Sequence, residues 1–173
     1  MRRIFTIISA LLIATTLTAC GAGQNAATRN ITQVTDGVDL KISQNNSAIK
    51  IVNLLLVATE NGDAVVVGTI VNQGAETDQL LGIAVGGNTA TITGDTTLAQ
   101  NAPLRFEGDS ANAKAVFSGV TPVAGRHVKL SLGFARAGLI TAEVIIRDKR
   151  DDYKDIVSNP TEINASPDSQ QPE

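Results

Sequence analysis

The side chains in this sequence that could do chemistry are few. There is one cysteine, Cys20, one histidine, His127, and one methionine, Met1, in 173 residues. Soft metals are held by several thiolate, thioether or imidazole donors, and a single imidazole cannot make such a site. A serine nucleophile needs a base and a group that orients the base. His127 would have to be that base, and no Gly-x-Ser-x-Gly elbow accompanies it. Seven acidic residues are worth weighing: Glu60, Asp63, Glu76, Asp78, Asp95, Glu107 and Asp109. Nearly all sit beside Gly, Asn or Thr, which is ordinary turn chemistry. Two of them could in principle act as the carboxylate pair of a glycoside hydrolase. The rings that stack on sugars are scarce, however, with four Phe, one Tyr and no Trp. The run GNTATITGD lacks the regularly spaced acids of a calcium loop. Gly86-Gly87 reads as a tight turn, since no helix signal follows that would make it a phosphate loop. Read this way, the chain is not an enzyme and carries no cofactor.

The lone thiol has another use. Arg2 and Arg3 precede an uncharged, mostly apolar run from Ile4 to Thr15, which matches a secretory signal and is too short to span a membrane. Leu17-Thr18-Ala19-Cys20 then resembles the lipobox of bacterial lipoproteins, in which cleavage falls before the cysteine and lipid joins its sulfur. On this expectation residues 1–19 are removed and Cys20 is the lipidation site. Two or more acyl chains hold a protein stably where one is marginal, so the chain stays on the cell membrane and faces the extracytoplasmic space. No second cysteine remains to form an intrachain disulfide. Loss of Arg2 and Arg3 takes the formal charge from −3 to −5 over the remaining 154 residues. A mildly acidic domain of that size argues against nucleic acid or anionic lipid surfaces as ligands, because both call for clustered Lys and Arg.

Short β-type runs must position whatever site exists. Residues 20–36 are small and polar and read as a flexible, lipidated spacer. AIKIVNLLLVA (Ala48 to Ala58) is rich in branched aliphatics and leads to Asn61-Gly62, a hairpin signal because both residues tolerate positive φ. AVVVGTIVN (Ala64 to Asn72) returns. QLLGIAV (Gln79 to Val85) ends at Gly86-Gly87-Asn88, and TATIT (Thr89 to Thr93) follows. Pro103 to Phe106 and Ala113 to Val120 are shorter candidates. In RHVKLSLGF, Val128, Leu130, Leu132 and Phe134 alternate with His127, Lys129, Ser131 and Gly133, which places His127 toward solvent. Ile140, Ala142, Val144 and Ile146 share one face of the next run. No amphipathic helix stands out. The pattern predicts an all-β, antiparallel Greek-key β-sandwich over residues 37–147, followed by a disordered acidic tail over 148–173.

GRHVKLSLGFARAGLITAEVIIRD (Gly125 to Asp148) resembles the closing strands of the PCuAC family of periplasmic copper chaperones, with Gly125, Phe134 and Gly138 in the matching places. From Cys20 to Asp148 the chain is similar to LpqE-like lipoproteins of actinobacteria, a branch that has a CGAGQ start, a strand like IKIVNLLLVA, and runs like TIVNQ and LLGIA. The resemblance implies an immunoglobulin-like or cupredoxin-like sandwich. The family binds Cu(I) through paired His and Met. Met1 leaves with the leader, Cys20 carries lipid and His127 stands alone, so that function does not transfer within a monomer.

Three functional expectations follow. The first is a non-enzymatic binding or adaptor module that contacts an unidentified envelope protein through the loops Thr59–Asp63, Gly74–Gln79 and Thr93–Ser110. The second is a copper-handling protein that uses His127, a weak ligand alone, across a dimer. The third is a cell-wall hydrolase.

Overall fold

In a computed structural model, residues 36–160 are described. Cys20, the expected signal and almost all of the expected spacer lie outside them, as do residues 161–173. Among the described residues eleven strands form: β1 (Val38–Gln44), β2 (Ser47–Ala58), β3 (Ala64–Asn72), β4 (Asp78–Val85), β5 (Asn88–Thr89), β6 (Thr91–Gly94), β7 (Thr97–Leu98), β8 (Pro103–Arg105), β9 (Ala113–Phe117), β10 (His127–Phe134) and β11 (Gly138–Asp148). No α-helix occurs among the described residues, and one 3-10 turn covers Asp151–Tyr153.

The strands run side by side in the order β5-β4-β10-β11-β2-β3-β9-β6, with β1 added to β2, β7 to β4 and β8 to β3. This path curls into a nearly closed all-β sandwich. Its two layers share one aliphatic core. Ile49, Ile51, Leu54 and Leu56 of β2 meet Leu130, Leu132 and Phe134 of β10 and Ala142, Val144 and Ile146 of β11. The period of two in β10 and β11 therefore places side chains as the sequence predicts. The strand pairings are antiparallel except one, in which Ile146–Asp148 of β11 runs parallel to Leu56–Ala58 of β2.

Turn chemistry differs from the expectation in two places. Between β2 and β3 only Gly62 takes a positive φ, of 78°, and Asn61 does not. The loop is longer than a two-residue turn and closes when Thr59 N donates to Asp63 O at 2.9 Å. The tight two-residue hairpin lies instead at Asn45-Asn46, both at positive φ, where Gln44 pairs with Ser47. That hairpin makes β1 a strand. Its Val38, Leu40 and Ile42 alternate with Asp39, Lys41 and Ser43 and pack on the core.

A bulge at Asn53 breaks the register of β2 against β3 between Val52 and Leu55. Asn53 has φ 54°. It is fixed from both sides, since its Oδ1 accepts from Gly37 N and its own N donates to Asp39 Oδ1, each at 2.8 Å. A side chain at position 37 would collide with the Asn53 carbonyl, which explains the glycine there. Beyond the bulge Leu54, Leu55, Leu56 and Val57 are all buried.

That uninterrupted burial needs a cover on the outer side of the sheet. Leu55, Val57, Val65, Val67 and Val116 form a second apolar cluster, closed by Ile156 with Tyr153 packed against it. The boundary expected at residue 147 is therefore corrected: β11 ends at Asp148, and the segment through Pro160 docks on the sheet. Its Thr93 Oγ1 to Pro160 O hydrogen bond and the Asn61 Nδ2 to Ser158 Oγ bond of 3.4 Å tie it down. Dense charge made this stretch look solvated, yet Ile156 and Tyr153 recur at the spacing of one helical turn and suffice to anchor it. Burial in this contact pushes the Tyr153 phenol up from its ordinary value, and the Asp36 carboxylate adds to the shift.

Candidate functional site

At one end of the sandwich the connection from β9 to β10 folds over the core and leaves a cleft of about 280 Å³. Leu56, Ala64, Phe117, Val120, Val128 and Ile146 are among the residues that wall it, and Arg126, His127 and Asn88 are among its polar lining residues. Each wall has a local cause. Leu56 and Ile146 face inward across the parallel β2–β11 pairing. Phe117 ends β9 on its core side, and Gly86 reaches in from the β4–β5 turn.

The connecting loop is held firmly. Gly119 N donates to Asp63 Oδ1 at 2.8 Å and Thr121 N to Gly62 O at 2.8 Å, which joins it to the β2–β3 turn. On its other side Gly125 N donates to Ile146 O at 2.7 Å and Ile146 N to Arg126 O at 2.8 Å. Thr121 sits at φ 45°, an uncommon state for a β-branched residue that persists only where surroundings impose it. Val123 on this loop is 56% exposed, so one apolar side chain stands at the rim beside Arg126 and His127.

His127 is exposed, as its place in the alternation predicts, and stands at this cleft rather than on an open sheet face. Of the three loops expected to make contacts, Thr59–Asp63 braces the cleft. Gly74–Gln79 and the first part of Thr93–Ser110 meet elsewhere, where Leu80 N donates to Thr96 O at 3.0 Å and Asn72 Nδ2 bonds Glu76 O at 2.7 Å and Leu98 O at 2.9 Å. The three loops therefore do not form one surface. Arg126, Val120 and Val123 are functional candidates that sequence reasoning passed over. The signal available was GVTPVAG, a loop too apolar for a mere connection.

The acidic residues serve structure where their contacts are seen. Asp78 accepts from three backbone N–H groups, and Asp63 holds Gly119. Asp95 accepts from Thr97 N at 2.9 Å, and that bond holds its carboxyl below the ordinary range. Glu107 faces the fully buried Lys114, with Oε1 3.7 Å from Nζ. Glu60, Glu76 and Asp109 are exposed. Among the described residues no group of three or more His, Cys, Asp or Glu is placed to hold a metal ion.

No family model matches the chain, and no curated protein does. Solved structures of PCuAC domains share the architecture. The apo PCuAC domain from PmoF1 superposes with a TM-score of 0.54 at 18% identity, over 64% of this chain and 99% of that one. The copper-bound PCuAC domain from PmoF2 gives a TM-score of 0.53 at 16% identity, over 64% and 98%. The fold is thus PCuAC-like.

Proposed function

We propose that the chain is a non-enzymatic binding module, held on the extracytoplasmic side of the cell membrane through lipid on Cys20, and that its cleft end meets an envelope partner. The observation that carries this reading is the cleft itself: a braced, apolar-walled concavity lined also by the basic side chains of Arg126 and His127. Loops on a rigid scaffold are where binding usually resides. The LpqE-like resemblance of the sequence supports the anchor and the envelope setting, and the PCuAC-like fold supports a module that binds rather than catalyses.

The test is an in-cell cross-linking pull-down of the anchored chain, beside Cys20→Ser and Val123→Asp variants. One envelope protein or membrane complex should be enriched with the parent and lost with both variants. Equal recovery with Val123→Asp moves the interface away from the cleft. No enrichment above the Cys20→Ser control refutes the adaptor role.

The likeness to a copper-bound PCuAC domain favours a second reading, in which two copies of the exposed His127 share one copper ion. It expects Cu(I) to convert monomer to dimer in size-exclusion chromatography, with half an equivalent bound per chain. His127→Ala should abolish both effects. Retention of copper by His127→Ala rules this reading out.

A further inference from the structure

We infer that the cleft binds a single-chain anionic amphiphile, an acyl chain that carries a carboxylate or phosphate head. The inference rests on the cleft being a binding site and names what enters it. The inner wall is hydrocarbon and aromatic, from Leu56, Phe117, Val120, Val128 and Ile146. Arg126 and His127 also line the cleft, adjacent in sequence and both exposed.

Charge at this mouth is opposite to that of the chain. The protein as a whole carries a formal −3, yet no Asp or Glu lines the cleft. The nearby Asp63 carboxylate is turned to the Gly119 amide. A guanidinium gives a planar fork suited to carboxylate and phosphate oxygens, and Asn88 and the Thr121 hydroxyl add neutral hydrogen-bonding groups. A neutral hydrocarbon would leave the cationic rim without a role. A sugar or nucleotide would leave the apolar wall unmatched. At about 280 Å³ the space lies just under the roughly 300–1,000 Å³ usual for small-molecule pockets, which suits one medium-length chain. The strained Thr121 and the braces on either side keep the cleft open before a ligand arrives, so little ordering opposes binding.

The experiment titrates the purified full chain with decanoate below its micellar concentration, by calorimetry and by amide chemical shifts. One equivalent should bind, with shifts confined to Leu56, Ala64, Val85–Asn88, Phe117–Val128 and Ile146. Arg126→Ala should weaken decanoate at least tenfold and leave decanol unaffected. Val120→Asp should abolish binding of both, and Val123→Asp, on the exposed rim, should weaken both without threatening the fold. Decyl phosphate compared with decanoate identifies the preferred head, and saturable binding of either supports the assignment. Equal affinity for decanol and decanoate, or indifference to Arg126→Ala, overturns it. If no amphiphile binds while the pull-down still depends on Val123, the ligand class is wrong and the binding module stands. If decanoate binds and the pull-down is empty, the reverse holds.

Discussion

Glu107→Ala should lower the unfolding free energy by about 3–5 kcal/mol, the usual cost of removing one member of a buried ion pair. Lys114 is fully buried and its Nζ makes no hydrogen bond, so Glu107 at 3.7 Å supplies its compensating charge. Without that carboxylate an ammonium remains in a medium that solvates it poorly. Lys114 also pairs with Thr93, which is bound to the docked C-terminal segment. The loss should appear as a lower urea midpoint and should change little with salt, because a buried pair is weakly screened. The double variant Glu107→Leu with Lys114→Met should recover stability to within about 1 kcal/mol of the parent or exceed it, since apolar replacement of a whole pair is often neutral or favourable. A loss below about 1 kcal/mol for Glu107→Ala, the scale of an exposed pair, would show that the ammonium reaches water when the segment lifts.

Asp78→Ala should cost about 4 kcal/mol or more, because it removes three hydrogen bonds to a charged acceptor, each of which contributes roughly 1.5–3 kcal/mol. Asp78 is buried at the start of β4. Its Oδ1 accepts from Gln79 N and Arg136 N at 2.8 Å each, and its Oδ2 from Ala137 N at 2.9 Å. One side chain thereby fixes the β10–β11 turn to a neighbouring strand. Alanine leaves three donors without their acceptor, the Ala137 amide among them in a buried place. Asp78→Asn should retain part of the stability, because its carbonyl still accepts while its NH2 opposes a donor. Amide exchange at Arg136 and Ala137 should accelerate in both variants. The shifts of His127 and Val128, at the other end of β10, should stay fixed. Global loss of protection without that local signature would assign the effect to packing instead.

How far the sequence foretold these features depends on whether the cause was local. Alternation over Val128–Phe134 and Ala142–Ile146 is a local property, and both strands could be read from it. The runs LLLV and AVVV carried a message that went unused. A strand with one wet face alternates, so an unbroken apolar run requires cover on both sides. The cover is Ile156, about one hundred positions beyond the first run and about ninety beyond the second, inside a stretch whose charge disguised it. VDLKISQ was equally legible by its period of two, but its proximity to a polar spacer hid it. The cleft could not be read at all. Its residues come from β2, β3, β4, β5, β9, β10, β11 and two turns, and only His127 among them was chemically conspicuous. Arg126 acquires meaning from the hydrocarbon behind it, which only the closed sheet brings there.

The parallel contact between β11 and β2 also sets a timetable. Leu56 finds its partner at Ile146, so the two layers join only across a separation that makes folding slow. Ribosomes and export channels deliver a chain from its N-terminus. The β1–β2–β3 hairpins can therefore assemble early, while Leu54–Val57 wait for their full cover until β11 and then Ile156 emerge. Through that interval the nascent chain displays its stickiest segment. A holding chaperone would shelter it until synthesis is nearly complete.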